Sequence, residues 1–346
     1  MKIAIVNSLS PFVYGGAEFL ADSLKSKLVE YGYEAQVIRF PFSWYPVDRI
    51  ADSMLAARLT QLPNVDMMIG LKFPAYLIDA PRKKLWLLHQ FRQAYDLAGT
   101  EYDMFLNTEH DRRIKNAVIA ADNHYLKALE GSIYTISNLV GERLKKHNGI
   151  SSQLLYHPLF DAHLYTCGSF GDYIFYPSRV NRSKRQHMAV EAMRHVKTGV
   201  KLVLAGKGDT PDDERNIFSL IEKYGLGNKV TYYNRFISQE EKAELYKNSL
   251  GVVYIPYDED SYGYVTLEGI QSGKPLISFT DSGGTDVVIN NGVTGYMTEP
   301  SPVALAEAMD KLFSDKKRAR EMGQNGIELV RELGISWDNV IRRLTE

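Results

Sequence analysis

Cysteine is nearly missing. The 346-residue chain has one, Cys167, so no intrachain disulfide can form, and the usage fits a reducing compartment. An excess of one charge sign is missing too. Lys and Arg number 41 against 42 Asp and Glu, a formal net charge of −1, which argues against a dedicated nucleic-acid binder. Long hydrophobic runs are absent: none approaches the ~20 residues of a membrane-spanning helix. The opening MKIAIVNSLSPF holds too short an apolar run for a signal peptide. The expected location is therefore cytoplasmic, with peripheral contact at the inner face of the membrane left open. Repeats and low-complexity tracts do not occur. What is present is ample core material: 45% of the chain is apolar, and the length suits about two domains.

The first half alternates strand and helix signals. KIAIVN, AQVIRF, VDMMIG, KLWLLH and SIYTIS read as strands, with helical stretches at 17–31, 47–60 and 110–130 and the run NLVGERLKKH; SQLLYHP ends the series. The second half restarts the pattern with DYIFYPS, KLVLAG, KVTYYN, GVVYIP and PLISFT, separated by helices at 184–195, 213–224, 238–249 and 264–272. Such alternation implies parallel sheets covered on both faces. The fold class is α/β, with two doubly wound, Rossmann-like domains expected to face a cleft. The first spans 1–165 and the second 166–325. A helical tail, 326–346, is a candidate to pack back on the first domain.

In such sheets ligands bind beyond the carboxyl ends of the strands. Several unusual residues fall there. Gly15 and Gly16 follow the first strand, His89 follows KLWLL, Arg179 and Lys184 follow DYIFYPS, Gly206 and Gly208 follow KLVLA, and Asp260 to Glu268 follow GVVYIP. Each has a plain structural reading. The glycines suit a loop before a helix, the two cations suit a solvated helix start, and His89 suits a structural histidine. GKGD lacks the third glycine of a dinucleotide fingerprint. Their shared placement carries the functional reading. In DSYGYVTLEG, Gly263 sits near a helix start, where free backbone N–H groups attract anions, and the two acids flank it.

These residues carry a resemblance. DEDSYGYVTLEGIQSGKPLISFTDSGGTDVVINNGVTGYM resembles the nucleotide-sugar signature of family 4 glycosyltransferases, which are retaining enzymes of the two-domain GT-B fold. Glu268, Gly273-Lys-Pro275 and Gly283-Gly284 match its pattern. PSRVNRSKRQ is similar to the family's Arg…Lys phosphate pair, LVLAGKGD to its Gly-x-Gly strand end, and VYGGAE to its N-terminal glycine loop. Asp260 stands where the family usually has Glu. The shorter arm moves the carboxylate by about one methylene and bears on which sugar hydroxyl it holds.

The resemblance implies transfer of a sugar from a nucleoside diphosphate, UDP- or GDP-linked, to an acceptor hydroxyl. The acceptor is a carbohydrate or a lipid-linked carbohydrate, as in polysaccharide or glycolipid synthesis. It implies no cofactor and no metal. The catalytic set is His89, Asp260, Arg179 and Lys184, the two cations stabilising the departing diphosphate. The donor set is Gly15, Gly16, Arg179, Lys184, Gly206, Lys207, Arg235, Phe236, Asp260, Tyr262, Gly263, Tyr264, Val265, Thr266 and Glu268. Glu268 holds the ribose and Asp260 the sugar. Phe91, Arg92 and Trp44 are acceptor-side candidates. The aromatic loop FPFSWYPVDRI and the basic runs at 82–84, 111–115 and 142–147 suit a lipid-linked acceptor, or a packed loop with scattered solvated charge. Three alternatives stay open: a metal-dependent glycosyltransferase using the DED of 258–260, a nucleotide-sugar hydrolase or epimerase, and a sugar-binding paralogue without catalysis.

Overall fold

The computed structural model describes residues 1–346 except 13, 101 and 107. The chain divides into two units, Met1–His157 with Ser336–Glu346, and Pro158–Ile335. The division falls earlier than the 165/166 boundary read from the sequence. Pro158–Tyr165 goes with the second unit because Tyr165 hydrogen-bonds Gln239 and Glu268 there. Of the tail beginning at 326, only Ser336–Glu346 belongs to the first unit.

The first unit contains β1 (Lys2–Leu9), α1 (Gly16–Glu30), β2 (Glu34–Pro41), α2 (Asp48–Leu59), β3 (Met67–Lys72), β4 (Lys83–His89), α3 (Glu109–Lys127), β5 (Ile133–Thr135), α4 (Asn138–Asn148) and β6 (Gln153–Leu154). Its sheet runs in the order β2-β1-β3-β4-β5-β6, all neighbours parallel. β1, β3 and β4 are continuous apolar runs because helices cover both faces of the sheet. Thr108 and Ser137 accept from backbone amides at the starts of α3 and α4, which fixes those starts.

The second unit contains β7 (Tyr173–Pro177), α5 (Gln186–Ala192), β8 (Lys201–Ala205), α6 (Pro211–Lys223), β9 (Val230–Tyr233), α7 (Gln239–Asn248), β10 (Gly251–Val253), α8 (Gly263–Gln271), β11 (Leu276–Phe279), β12 (Gly295–Thr298), α9 (Pro302–Ser314) and α10 (Lys316–Glu332). Its sheet order is β12-β11-β10-β7-β8-β9, again parallel throughout. β12 was not anticipated, since GYMT is short and only partly apolar. In each sheet the winding reverses once, between β1 and β3 in the first unit and between β7 and β10 in the second. Such switch points are where doubly wound sheets bind ligands.

A last helix, α11 (Trp337–Thr345), completes the first unit. Val340, Ile341 and Leu344 join its core, each burial worth about 1.5–3 kcal/mol. Trp337 meets Trp86 edge-on at 6.5 Å, and Lys84 donates to the Arg343 carbonyl at 2.8 Å. Among the described residues no helix is long and apolar enough to cross a membrane.

The first unit also buries a polar network. Asp122 is fully enclosed and accepts from the Tyr76 and Tyr95 hydroxyls, both at 2.7 Å. Burial pushes its carboxyl up to about 6, against those hydrogen bonds, which pull it down. The native state therefore binds this proton more tightly than an unfolded chain with the ordinary value of 3.8. The stability contributed by Asp122 is whole below about 3.8 and is lost as pH rises to about 6. Asp122→Asn removes that loss. Its stability relative to the parent is expected to improve by roughly 2–3 kcal/mol between pH 4 and 7. All three tryptophans, Trp44, Trp86 and Trp337, lie in this unit, so urea unfolding followed by tryptophan fluorescence reports on it directly. A difference that does not change with pH would show that Asp122 is not the titrating group.

Candidate functional site

Beyond β10 the chain runs through YIPYDEDSYG to α8. Asp258 lies in the left-handed region at φ 48°, and Glu259 forms an isolated parallel bridge with Gly283. Three backbone bonds hold this acidic loop to the turn after β11: Asp258 N–H to the Asp281 carbonyl at 2.9 Å, Glu259 N–H to that of Ser282 at 3.3 Å, and Gly284 N–H to that of Glu259 at 2.9 Å. Gly283 has φ 67°, and a Cβ there would lie 2.1 Å from the Glu259 carbonyl oxygen. Only glycine permits that approach. The sequence pair Gly283-Gly284 is thus a clasp for the acidic loop.

Lys184 closes a short 3-10 turn, Arg182–Lys184, capped by the Asn181 side chain, which accepts from Lys184 N–H at 2.9 Å. Its ammonium is largely buried and donates to Glu259 Oε2 and, at 3.0 Å, to the Tyr254 hydroxyl. Burial works against the charge, but Glu259 and Tyr254 outweigh it and hold the lysine above its ordinary range. An ammonium has three N–H groups, so one remains for a further acceptor. The acid that meets Lys184 is Glu259. Asp260 is the next residue, 8% exposed, and also buried. Arg179 lies nearby in sequence but is exposed and pairs with Asp209 at 2.9 Å.

Glu268, two-thirds of the way along α8, is held by three donors. Tyr165 at 3.0 Å and Lys242 at 2.6 Å reach Oε1, and Tyr246 at 2.9 Å reaches Oε2. Burial first, and then the Glu268 charge, pushes both phenols above their ordinary range, so they remain donors. A carboxylate offers about four lone-pair positions, so this one retains capacity for another hydroxyl. Tyr262 is fully buried, and Thr266 Oγ bonds the Tyr262 and Gly263 carbonyls. Tyr264 and Val265 are half-buried in the first turn of α8.

The remaining residues expected on the donor side are more dispersed. Gly206, at φ 148°, lets the end of β8 approach β7: a Cβ would lie 2.0 Å from the Ser178 carbonyl oxygen. Lys207 is exposed, and its carbonyl accepts from Val180 N–H at 3.0 Å. Arg235 pairs with Glu241, the neighbour of Lys242, and Phe236 is exposed.

In the first unit, Gly15 precedes α1 and Gly16 begins it. Gly15 N–H donates to Glu18 Oε2 at 2.9 Å, while Lys72, at the end of β3, reaches Glu18 Oε1 at 3.1 Å. A part-buried ion pair at the switch point therefore pins the glycine loop. Val13 of VYGGAE lies outside the described residues. His89 ends β4, and its Nδ1 donates to the Gln90 carbonyl at 2.6 Å, which leaves Nε2 as an acceptor. Phe91 departs from the acceptor-side expectation. It is a core residue, stacked on Phe73 at 5.3 Å and edge-on to Phe42 at 5.7 Å, because the chain after β4 turns inward. Arg92 is tied to Asp96 at 2.6 Å. Trp44 is half exposed and rests on Phe42 at 5.8 Å.

Sequence reasoning missed Lys242, Tyr165, Tyr246, Lys72 and Arg185. Glu18 was visible as the acid of GGAE, three residues into α1, a capping-box spacing. The others come together only through tertiary packing and carry no local signal.

Residues 171–329 match the family model for glycosyl transferases group 1, nearly all of the second unit. The chain is 33% identical over 141 residues to an alpha-1,3/1,6-mannosyltransferase of Dictyostelium discoideum, covering 39% of this chain and 33% of that protein. Over 93% of this chain and 84% of the other, it is 25% identical to the N-acetyl-alpha-D-glucosaminyl L-malate synthase of Bacillus anthracis. The chain spans between a third and about two-fifths of the length of the first curated relatives it matches. Among solved structures, the sucrose-phosphate synthase of Thermosynechococcus elongatus superposes with TM-score 0.76 at 18% identity, covering 99% of this chain and 97% of that one. Anabaena HepE, solved in complex with UDP-glucose, superposes with TM-score 0.73 at 16% identity, covering 98% of each chain. The fold is GT-B, built from two doubly wound parallel-sheet units.

Proposed function

We propose, from the GT-B fold and the group 1 glycosyl transferase match across the second unit, that this protein is a retaining, metal-independent glycosyltransferase. Its donor is a UDP- or GDP-linked sugar. The observation that carries this reading is the grouping of a buried ammonium, Lys184, two acids, Glu259 and Asp260, and the start of α8 at the β7/β10 switch point. A diphosphate is an anion beside a sugar rich in hydroxyls, and this grouping offers a cation, backbone N–H groups and carboxylate acceptors.

In the proposed reaction the bond from the anomeric carbon to the diphosphate oxygen breaks and a bond to the acceptor oxygen forms on the same face. The departing phosphate oxygen takes the acceptor proton. The products are a nucleoside diphosphate and a glycoside. No side chain acts as nucleophile. Lys184 and Arg179 meet the negative charge as it grows on the leaving group. Glu268, already held by three donors, receives ribose hydroxyls, and Asp260 receives sugar hydroxyls. His89 offers Nε2 to a hydroxyl. Exposed Trp44 and Tyr45 suit an acceptor with an apolar or lipid-linked portion, at a membrane surface or free of it.

A thermal-shift panel of UDP, GDP and ADP tests donor binding, because a ligand of the folded state raises the melting point. Turnover of the stabilising donor in EDTA tests the chemistry. Activity is expected to persist undiminished. Complete loss in EDTA, restored by Mn²⁺ or Mg²⁺, would favour the metal-dependent reading through Asp258–Asp260.

A further inference from the structure

The residue after Lys184 is an oddity of this chain. Arg185 sits at φ 58°, in the left-handed region, as the N-cap of α5. A side chain is disfavoured there, and such a conformation persists only where its surroundings over-determine it. Here they do. The residue is 8% exposed, and all three of its guanidinium nitrogens are engaged by the protein. Nε donates to the Ile255 carbonyl at 2.8 Å and Nη2 to that of Pro256 at 2.6 Å. Nη1 and Nη2 take the two Asp281 carboxylate oxygens at 2.8 and 2.7 Å, and Nη2 also reaches Ser282 Oγ at 3.3 Å. The group lies over the Phe279 ring, 5.1 Å from its centre. Beside it, Tyr257 N–H donates to the Ser183 carbonyl at 2.7 Å.

One side chain thus joins three stretches that are far apart in sequence. They are the turn carrying Lys184, the strand exit leading to Glu259 and Asp260, and the turn carrying Gly283 and Gly284. The planar fork matches the Asp281 carboxylate with two parallel bonds, a geometry an ammonium cannot reproduce. The αL backbone aims that fork back across the chain, away from α5.

We propose that Arg185 is the positioning residue that sets the register between Lys184 and the acidic loop, and so fixes where the diphosphate and the sugar of a donor are held relative to each other. It touches neither. It acts through Lys184, Glu259 and Asp260. The proposal rests on the glycosyl-transfer reading of this site.

The test uses Arg185→Gly, which removes the fork and relieves the left-handed backbone, and Arg185→Lys, which keeps the charge and loses the fork. Each is measured by calorimetric titration of the nucleoside diphosphate and by turnover at saturating donor, per folded molecule. Turnover is expected to fall at least about tenfold in both, with diphosphate affinity within about threefold of the parent. Guanidinium ion at low millimolar concentration is expected to restore part of the turnover of Arg185→Gly and none of Arg185→Lys. A residue that only stabilises the fold would lower the melting point and leave turnover of the folded fraction unchanged; that result overturns the proposal. So does full turnover in both variants, or a loss confined to diphosphate affinity. Should Arg185→Gly fail to fold, Arg185→Lys alone decides on its turnover against its affinity. A parent that consumes no nucleotide sugar refutes the functional reading, and this assignment with it. An active parent with unchanged variants refutes this assignment alone.

Discussion

Lys184→Ala is expected to lower turnover by a hundredfold or more while weakening nucleoside diphosphate binding far less. Charge on the leaving diphosphate grows toward the transition state, so a fixed cation contributes most there. The surroundings strengthen the case. The ammonium is largely enclosed, which raises the worth of its charge, and two of its three N–H groups are already fixed by Glu259 and Tyr254. It needs no reorganisation when charge develops. Its protonated form is favoured above the ordinary lysine range, so the charge is intact at neutral pH. The stability that comes from holding this lysine protonated is whole below the ordinary lysine value and lost only as pH climbs through the raised one. Steady-state kinetics with the full donor, beside calorimetric titration of the diphosphate, checks the expectation. A change confined to the Michaelis constant would show that Lys184 serves binding alone.

Glu268→Gln and Asp260→Asn are expected to fail in different ways. Glu268 is assigned to the ribose, which the bare nucleoside diphosphate retains. Loss of its charge removes a charge-assisted hydrogen bond worth about 1.5–3 kcal/mol, or roughly ten- to a hundredfold in affinity. It also strips Lys242 of its carboxylate partner and makes Tyr165 and Tyr246 share an amide with one acceptor oxygen. Asp260 is assigned to the sugar, which the bare diphosphate lacks. Asp260→Asn is therefore expected to bind the diphosphate nearly as the parent does and to transfer sugar poorly. Titration of both variants beside turnover separates the two roles. Equal weakening of diphosphate binding would sink the assignment of the acids to opposite ends of the donor.

Much of this architecture was legible before any coordinates. β1, β8 and β11 announce themselves as apolar runs that end at turn residues, and most helices fall within two residues of their periodicity. The wound topology followed from alternation alone. Shorter elements were harder: β6 has two residues and β12 four, too few for a pattern. At the site, Lys184, Gly263, Glu268 and Gly283-Gly284 were visible because strand ends and local glycine chemistry mark them. Glu259 shows in the sequence only as the middle of DED, yet it meets Lys184, because the left-handed Asp258 re-aims the residues after it. Lys242 and Tyr165 reach Glu268 across 26 and 103 residues of chain, a pairing no single sequence displays. Phe91 shows how burial escapes a sequence reading. Its position after a strand suggested a wall for substrate, while its ring completes the cluster with Phe42 and Phe73.

The placement of α11 has a consequence for biosynthesis. The first unit comprises Met1–His157 and Ser336–Glu346, with the whole of Pro158–Ile335 made in between. At ~5–20 residues per second, a ribosome needs roughly ten to thirty-five seconds to deliver that interval. Throughout it, the sheet around Trp86 waits without Trp337, Val340, Ile341 and Leu344 to cover it. The nascent first unit thus shows an apolar face to chaperones, and it is sealed only after the second unit has left the exit tunnel.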